Sequence, residues 1–168
     1  ILVIAEHDNK QLARSSFTTL AAALKLGTFD SSYNIDILVA GFNEQKFQDI
    51  SQELTGLNIL NKIIIANHSR YEHGLAEDFA ELICDLTHEH HYEYIFMPAT
   101  TFGKNIAPRV GALLDINPLS DVSAIMGLDT FKRPIYAGNA IATFKSSDKI
   151  KLLTIRSTSF DWENNNQH

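Results

Sequence analysis

Apolar and β-branched residues gather in four short runs, at residues 1–5 (ILVIA), 35–40 (IDILVA), 60–66 (LNKIIIA) and 94–97 (YIFM), each closed by small, polar or turn-forming residues. Runs with little alternation have no solvent side, so each reads as a strand buried on both faces. Between them apolar residues recur three and four apart: Ala13, Phe17, Leu20 and Leu24 form one stripe, and Leu75, Phe79, Leu82 and Leu86 another. That is the period of a helix laying one face on a core. Residues 43–53 carry a weaker stripe through Phe47 and Ile50, and residues 105–114 carry Ile106, Val110 and Leu113, with Pro108 tolerable only near a first turn. Strand and helix alternate, which predicts a three-layer α/β domain. A mostly parallel, Rossmann-type sheet is flanked by helices and joined by right-handed crossovers.

The texture changes after Asp115. Residues 120–126, 134–144 and 150–155 are strand-like with no helical stretch between them, so they are expected as antiparallel additions at the sheet edge. Ser146, Ser147 and Asp148 make a turn between the last two. Within 134–144 a glycine, Gly138, signals a bulge or a close backbone approach in a kinked edge strand. Residues 1–160 form one domain, and from Asp161 the chain reads DWENNNQH, a linker or mobile tail.

Composition narrows the function classes. With 168 residues, 45% of them hydrophobic, the chain can build a core without staples, and a lone cysteine, Cys84, excludes a disulfide framework. The formal net charge is −6 and the basic residues are scattered, which argues against nucleic acid or anionic lipid as a partner. No apolar run reaches the ~20 residues of a membrane span. Residues 1–5 run straight into Glu6, His7 and Asp8 with no basic segment ahead, so they read as a strand and not a signal peptide. A reducing compartment, cytoplasm or mitochondrial matrix, is expected.

Ligands of an open parallel sheet sit beyond the carboxyl ends of its strands, where neighbouring crossovers leave on opposite faces. The loops to inspect are 6–9, 41–43 and 98–104. The last reads PATTFGK, in which Thr100, Thr101, Gly103 and Lys104 at a helix start suit an anion or nucleotide phosphate. The spacing is not that of a Walker loop, and a helix cap by Thr100 or Thr101 is the plainer reading. His88, His90 and His91, with His68 and His73 nearby, lack metal-ligand spacing, so no metal site is expected and a histidine-based metallohydrolase is disfavoured. Cys84 reads as a buried, inert thiol. No nucleophile elbow or paired carboxylates are visible, so no catalytic residues are assigned. In RPIYAGN, Arg133, Tyr136 and Asn139 are polar or aromatic residues that a buried strand does not need, and they are the candidates for a partner interface.

Several stretches carry a resemblance: LVIAEHDN at 2–9, ATTFGKNIAPRVGALLD at 99–115, SDVSAI at 120–125, RPIYAGNAIATFKSSDKIKLLTIR at 133–156 and TSF at 158–160. In this order they resemble the N-terminal domain of the α subunit of electron-transfer flavoprotein, whose fold is of the adenine-nucleotide-hydrolase-like type. Ser157 departs from the pattern, which has glycine after the arginine.

The resemblance implies a heterodimer with a β subunit. Such a complex accepts electrons from flavin dehydrogenases, including the acyl-CoA dehydrogenases of fatty acid β-oxidation, and passes them to the respiratory chain through one FAD. It also implies that the FAD is held chiefly by a C-terminal domain lying outside this chain, that AMP belongs to the β subunit, and that this domain is a non-catalytic scaffold. No FAD ligand can be carried over to any residue here. The alternative is a stand-alone adenine-nucleotide-binding regulatory module using the switch-point loops.

Overall fold

The computed structural model describes residues 1–163, the side chains of 44–46 excepted. Four strands and four helices alternate as expected: β1 (Leu2–Ile4), α1 (Arg14–Gly27), β2 (Ile35–Gly41), α2 (Glu44–Thr55), β3 (Leu60–Asn67), α3 (Ala76–His90), β4 (Tyr94–Pro98) and α4 (Thr101–Leu114). Then come β5 (Leu119–Val122), β6 (Ala124–Ile125), β7 (Thr130–Ile135), β8 (Ala140–Lys145) and β9 (Lys151–Ile155). The main sheet has the order β3-β2-β1-β4-β9-β5 and is parallel throughout, while β6, β7 and β8 form a separate antiparallel sheet.

Two cores cover the two faces of the main sheet. One joins Val3, Ile37, Val39 and Phe96 to Leu20, Ala23 and Leu26 of α1 and to Phe47, Ile50 and Leu54 of α2. The other joins Leu2, Ile4, Leu38 and Ile95 to Phe79 and Ile83 of α3 and to Ile106 and Val110 of α4. The small sheet is anchored on the α1 side by Ile125 and Phe131, the latter fully buried. Burying a side chain of that size is worth about 2–3 kcal/mol.

Several expectations are corrected. Residues 60–66 are only partly buried: β3 is an edge strand that touches both cores through Ile63 and Ile64, while Ile65 is exposed. Residues 120–122, in β5, lie at the edge but run parallel, and residues 150–155 are neither antiparallel nor at the edge. As β9 they run parallel between β4 and β5, with Leu152–Ile155 buried. The chain passes from β4 through α4 to β5 and leaves one slot open. The long connection that parallel pairing demands is then supplied by the β6-β7-β8 excursion in place of a helix.

Residues 134–144 are not one kinked strand. They turn back on themselves at Tyr136–Gly138 as a hairpin between β7 and β8. A Cβ at Gly138 would meet nothing within 4 Å, so this glycine marks a left-handed turn (φ +86°) and not a close approach. Helix α4 starts at Thr101, which puts Pro108 in mid-helix. Proline is tolerated because it shares an exposed ridge with Lys104, whose carbonyl loses its helical partner and faces water.

A buried carboxylate ties three elements together below the sheet. Asp36 on β2 accepts the Asn61 amide at 2.8 Å and the Tyr92 hydroxyl at 2.5 Å. Burial, with Asp36 second, pushes the Tyr92 phenol well above its ordinary range, so it stays a donor. Replacing Tyr92→Phe removes that donor and leaves the carboxylate short of one bond. The variant should lose about 1–3 kcal/mol and melt several degrees lower, measured by thermal denaturation.

Candidate functional site

Helices α1 and α2 lie on one face and α3 and α4 on the other, so the crossovers change sides between β1 and β4. The carboxyl ends of these two strands define the candidate site. Glu6, just past β1, projects its carboxylate across this gap. Its Oε2 accepts the Ser15 hydroxyl of α1 at 2.8 Å and the Thr100 hydroxyl ahead of α4 at 2.9 Å. Its backbone is fixed as firmly: the Glu6 N–H donates to Ser16 Oγ at 2.8 Å, and the Glu6 carbonyl accepts Ser16 Oγ and the Ala13 N–H at 2.8 and 2.9 Å. A negative charge facing two helix starts is favourable by about 0.3–1 kcal/mol at each.

Next to it, His7 Nε2 donates to the Ala40 carbonyl at 2.8 Å while Nδ1 accepts the Asn9 N–H at 3.1 Å. The two bonds fix the orientation of the ring and hold Asn9 in a left-handed turn (φ 69°). The ring stands edge-on to Phe47 at 5.6 Å. The backbone N–H groups of Gln11 and Lys10 hold the Asp8 carboxyl below its usual range. The room left among Glu6, His7, Asp8, Gln11, Leu12 and Ala13 is about 200 Å³. Pockets for small ligands run to about 300–1,000 Å³.

The PATTFGK residues fall around this point. Thr100 takes the cap position of α4 but makes no capping bond, because its hydroxyl is turned to Glu6; this corrects the expectation of a plain helix cap. Thr101 and Lys104 are exposed, and the Lys104 N–H donates to the Thr100 carbonyl at 2.8 Å. Gly103 rides on β4: a Cβ there would lie 1.8 Å from the Pro98 carbonyl oxygen. Glycine is thus required by the close passage of α4 over the strand end.

The other candidates do not converge on the crevice. Arg133 lies on β7, its guanidinium 5.5 Å above the Phe144 ring and 3.3 Å from Ser120 Oγ. Tyr136 and Asn139 are at the hairpin tip, both exposed, Tyr136 at 78%. Tyr136 and Ala137 both hold left-handed backbone, at φ 50° and 53°. His68 Nδ1 accepts the Arg70 N–H at 3.1 Å, His73 is exposed, His88 and His90 lie in the last turn of α3, and His91 caps it at φ 55°. Among the described residues no three His, Cys, Asp or Glu side chains form a group able to hold a metal. Trp162, within the segment expected as a tail, packs on Phe17 at 5.5 Å; residues 164–168 of that segment lie outside the described residues.

A family model described as the electron transfer flavoprotein domain matches residues 1–167. The chain belongs to the electron transfer flavoprotein domain family. Among its relatives, the electron transfer flavoprotein subunit alpha of Pseudomonas aeruginosa is 44% identical over 161 residues, 96% of this chain and 49% of that protein. The subunit alpha of Paracoccus denitrificans is 43% identical, covering 96% and 49%, and the mitochondrial subunit alpha of Dictyostelium discoideum is 43% identical, covering 95% and 44%. The chain therefore spans about half the length of the curated relatives it matches.

For an electron transfer flavoprotein domain the flavin is the implied group; Glu6 is set across the strand ends, and the space beside it in the β1–α1 loop, about 200 Å³, is smaller than pockets that hold a ligand of that size. Sequence reasoning singled out the loop but missed the residue that fills it. The available signal was a glutamate directly after the first strand, where phosphate-binding folds of this kind place glycines.

Two outcomes are expected. Gly103→Ala should destabilise the domain by about 2–3 kcal/mol, read by urea denaturation, because backbone and not a flexible side chain stands in the way. Burial, with Asp85 second, pushes the Cys84 thiol up to about 11. At pH 8 only about one thiol in a thousand is then ionised, so Cys84 should resist alkylation in the folded chain and react once the chain is unfolded.

Proposed function

We propose that this chain is the N-terminal scaffold domain of an electron transfer flavoprotein α subunit, carrying no catalytic residue of its own. The observation that carries the reading is the match to proteins named subunit alpha along nearly all of this chain and about half of theirs. The crevice supports it, since the Glu6 carboxylate and the Ser15 and Thr100 hydroxyls are satisfied within the chain. The complete α subunit pairs with a β subunit, takes electrons from flavin dehydrogenases such as acyl-CoA dehydrogenases and delivers them to the respiratory chain. Its FAD is held by the half that this chain does not include, and AMP is held by the β subunit. The setting is the cytoplasm in a bacterium and the mitochondrial matrix in a eukaryote. No helix among the described residues is long and apolar enough to cross a membrane.

Pairing runs through the β7–β8 hairpin, with Tyr136 as the anchor and Asn139 and Arg133 beside it. Tyrosine and arginine are favoured where a few residues carry an interface. A backbone strained by about 1–2 kcal/mol per left-handed residue at an exposed tip points to a role beyond folding.

Purified alone and dialysed against FAD, the chain should stay colourless, and retained flavin absorbance would overturn the scaffold reading. Mixed with a β subunit it should co-elute on size exclusion. Tyr136→Ala should weaken that association about tenfold or more, and unchanged assembly of a folded variant would remove Tyr136 from the interface.

A further inference from the structure

We infer that the Glu6 carboxylate is the occupant of the switch-point crevice, a side chain of the chain itself standing where an open parallel sheet otherwise receives the anionic end of a ligand. This deepens the scaffold reading and is separable from it, because assembly with a partner and binding of a nucleotide are measured independently.

Four observations converge. The topology puts the crevice between β1 and β4, and Glu6 is the second residue after β1. One carboxylate oxygen takes hydroxyls from both sides of the sheet, Ser15 of α1 and Thr100 before α4. Its aim is set from behind, because both backbone groups of Glu6 are bonded to Ser16, itself fully buried, so the side chain leaves the strand in one direction. The space of about 200 Å³ beside Glu6 in the β1–α1 loop is lined by a second carboxylate, Asp8, whose carboxyl its backbone partners hold below the usual range. A phosphate there would meet two negative charges, and the hydroxyls that could greet it are already donating to Glu6. Glu6 thereby does two jobs with one group. It satisfies the crevice's donors, and it repels the class of ligand for which the topology is suited.

The test is calorimetric titration of AMP, and separately of inorganic phosphate, into the chain and into Glu6→Ala. The unmodified chain should show no saturable binding at millimolar ligand. Glu6→Ala, shown to be folded by circular dichroism, should bind at least one of the two about tenfold more tightly or better. A second variant, Glu6→Gln, keeps the side chain's size and its acceptor for the Ser15 and Thr100 hydroxyls but removes the charge, and should shift binding in the same direction even if Glu6→Ala does not fold. Saturable binding by the unmodified chain, equal to that of the variants, would overturn the inference. So would folded variants that bind neither ligand. Failure here with intact β-subunit assembly would sink the inference and leave the scaffold reading standing.

Discussion

A parallel sheet must be covered on both faces, and the cover here changes sides between β1 and β4. Every other feature of the domain answers to that change. Because α1 departs to one face and α4 to the other, two helix starts and two strand ends open onto the same gap, with backbone donors and positive dipole ends pointing into it. Such a gap cannot be left dry and unpaired. Most folds with this topology resolve it with a ligand, whereas here a glutamate resolves it from within. The solution also binds the two layers together, since Ser15 and Thr100 belong to helices that share no other polar partner among the hydrogen bonds of the described residues.

The second constraint is the slot left between β4 and β5. The strand that enters there is parallel to both neighbours, so the chain has to travel from one end of the sheet to the other first. It does so through the small antiparallel sheet, anchored by Phe131 and Phe144 against the α1 side. The excursion costs two left-handed residues other than glycine at its tip and leaves Tyr136 and Ile141 largely exposed. Neither feature is demanded by the return journey, because a shorter loop of glycine and asparagine would turn the chain with less strain. Under the proposed pairing through this hairpin, the strain serves to present Tyr136.

What could be read in the sequence follows from which signals are local. The four βα alternations were legible because burial imposes a period on each element by itself, as along Leu75, Phe79, Leu82 and Leu86. Whether β3 lay at the edge or in the interior was not, since LNKIIIA is apolar for two reasons at once, one face packing under α2 through Ile63 and the other under α3 through Ile64. The parallel sense of β9 was equally hidden: a strand's direction is set by its connection, and a connection built of strands looks like a hairpin series. At the site, the loop was visible from topology, but the role of Glu6 was not. A carboxylate beside a strand reads as a surface charge until Ser15 and Thr100, 9 and 94 residues away, are brought to it.

The proposed scaffold role suits a fold that keeps its shape without a ligand. The sheet, its two layers of helices and the close passage of Gly103 over Pro98 are what hold the strand ends in register, and none of them needs a bound nucleotide. A ligand that bridges α1 and α4 contributes stability only while it is present, in proportion to its concentration over its dissociation constant. A carboxylate in the same place contributes at all concentrations. A domain whose task is to hold other parts in position gains from that exchange, because its geometry no longer varies with the supply of a small molecule. The chemistry can then reside wholly in the half of the relatives' length that lies outside this chain.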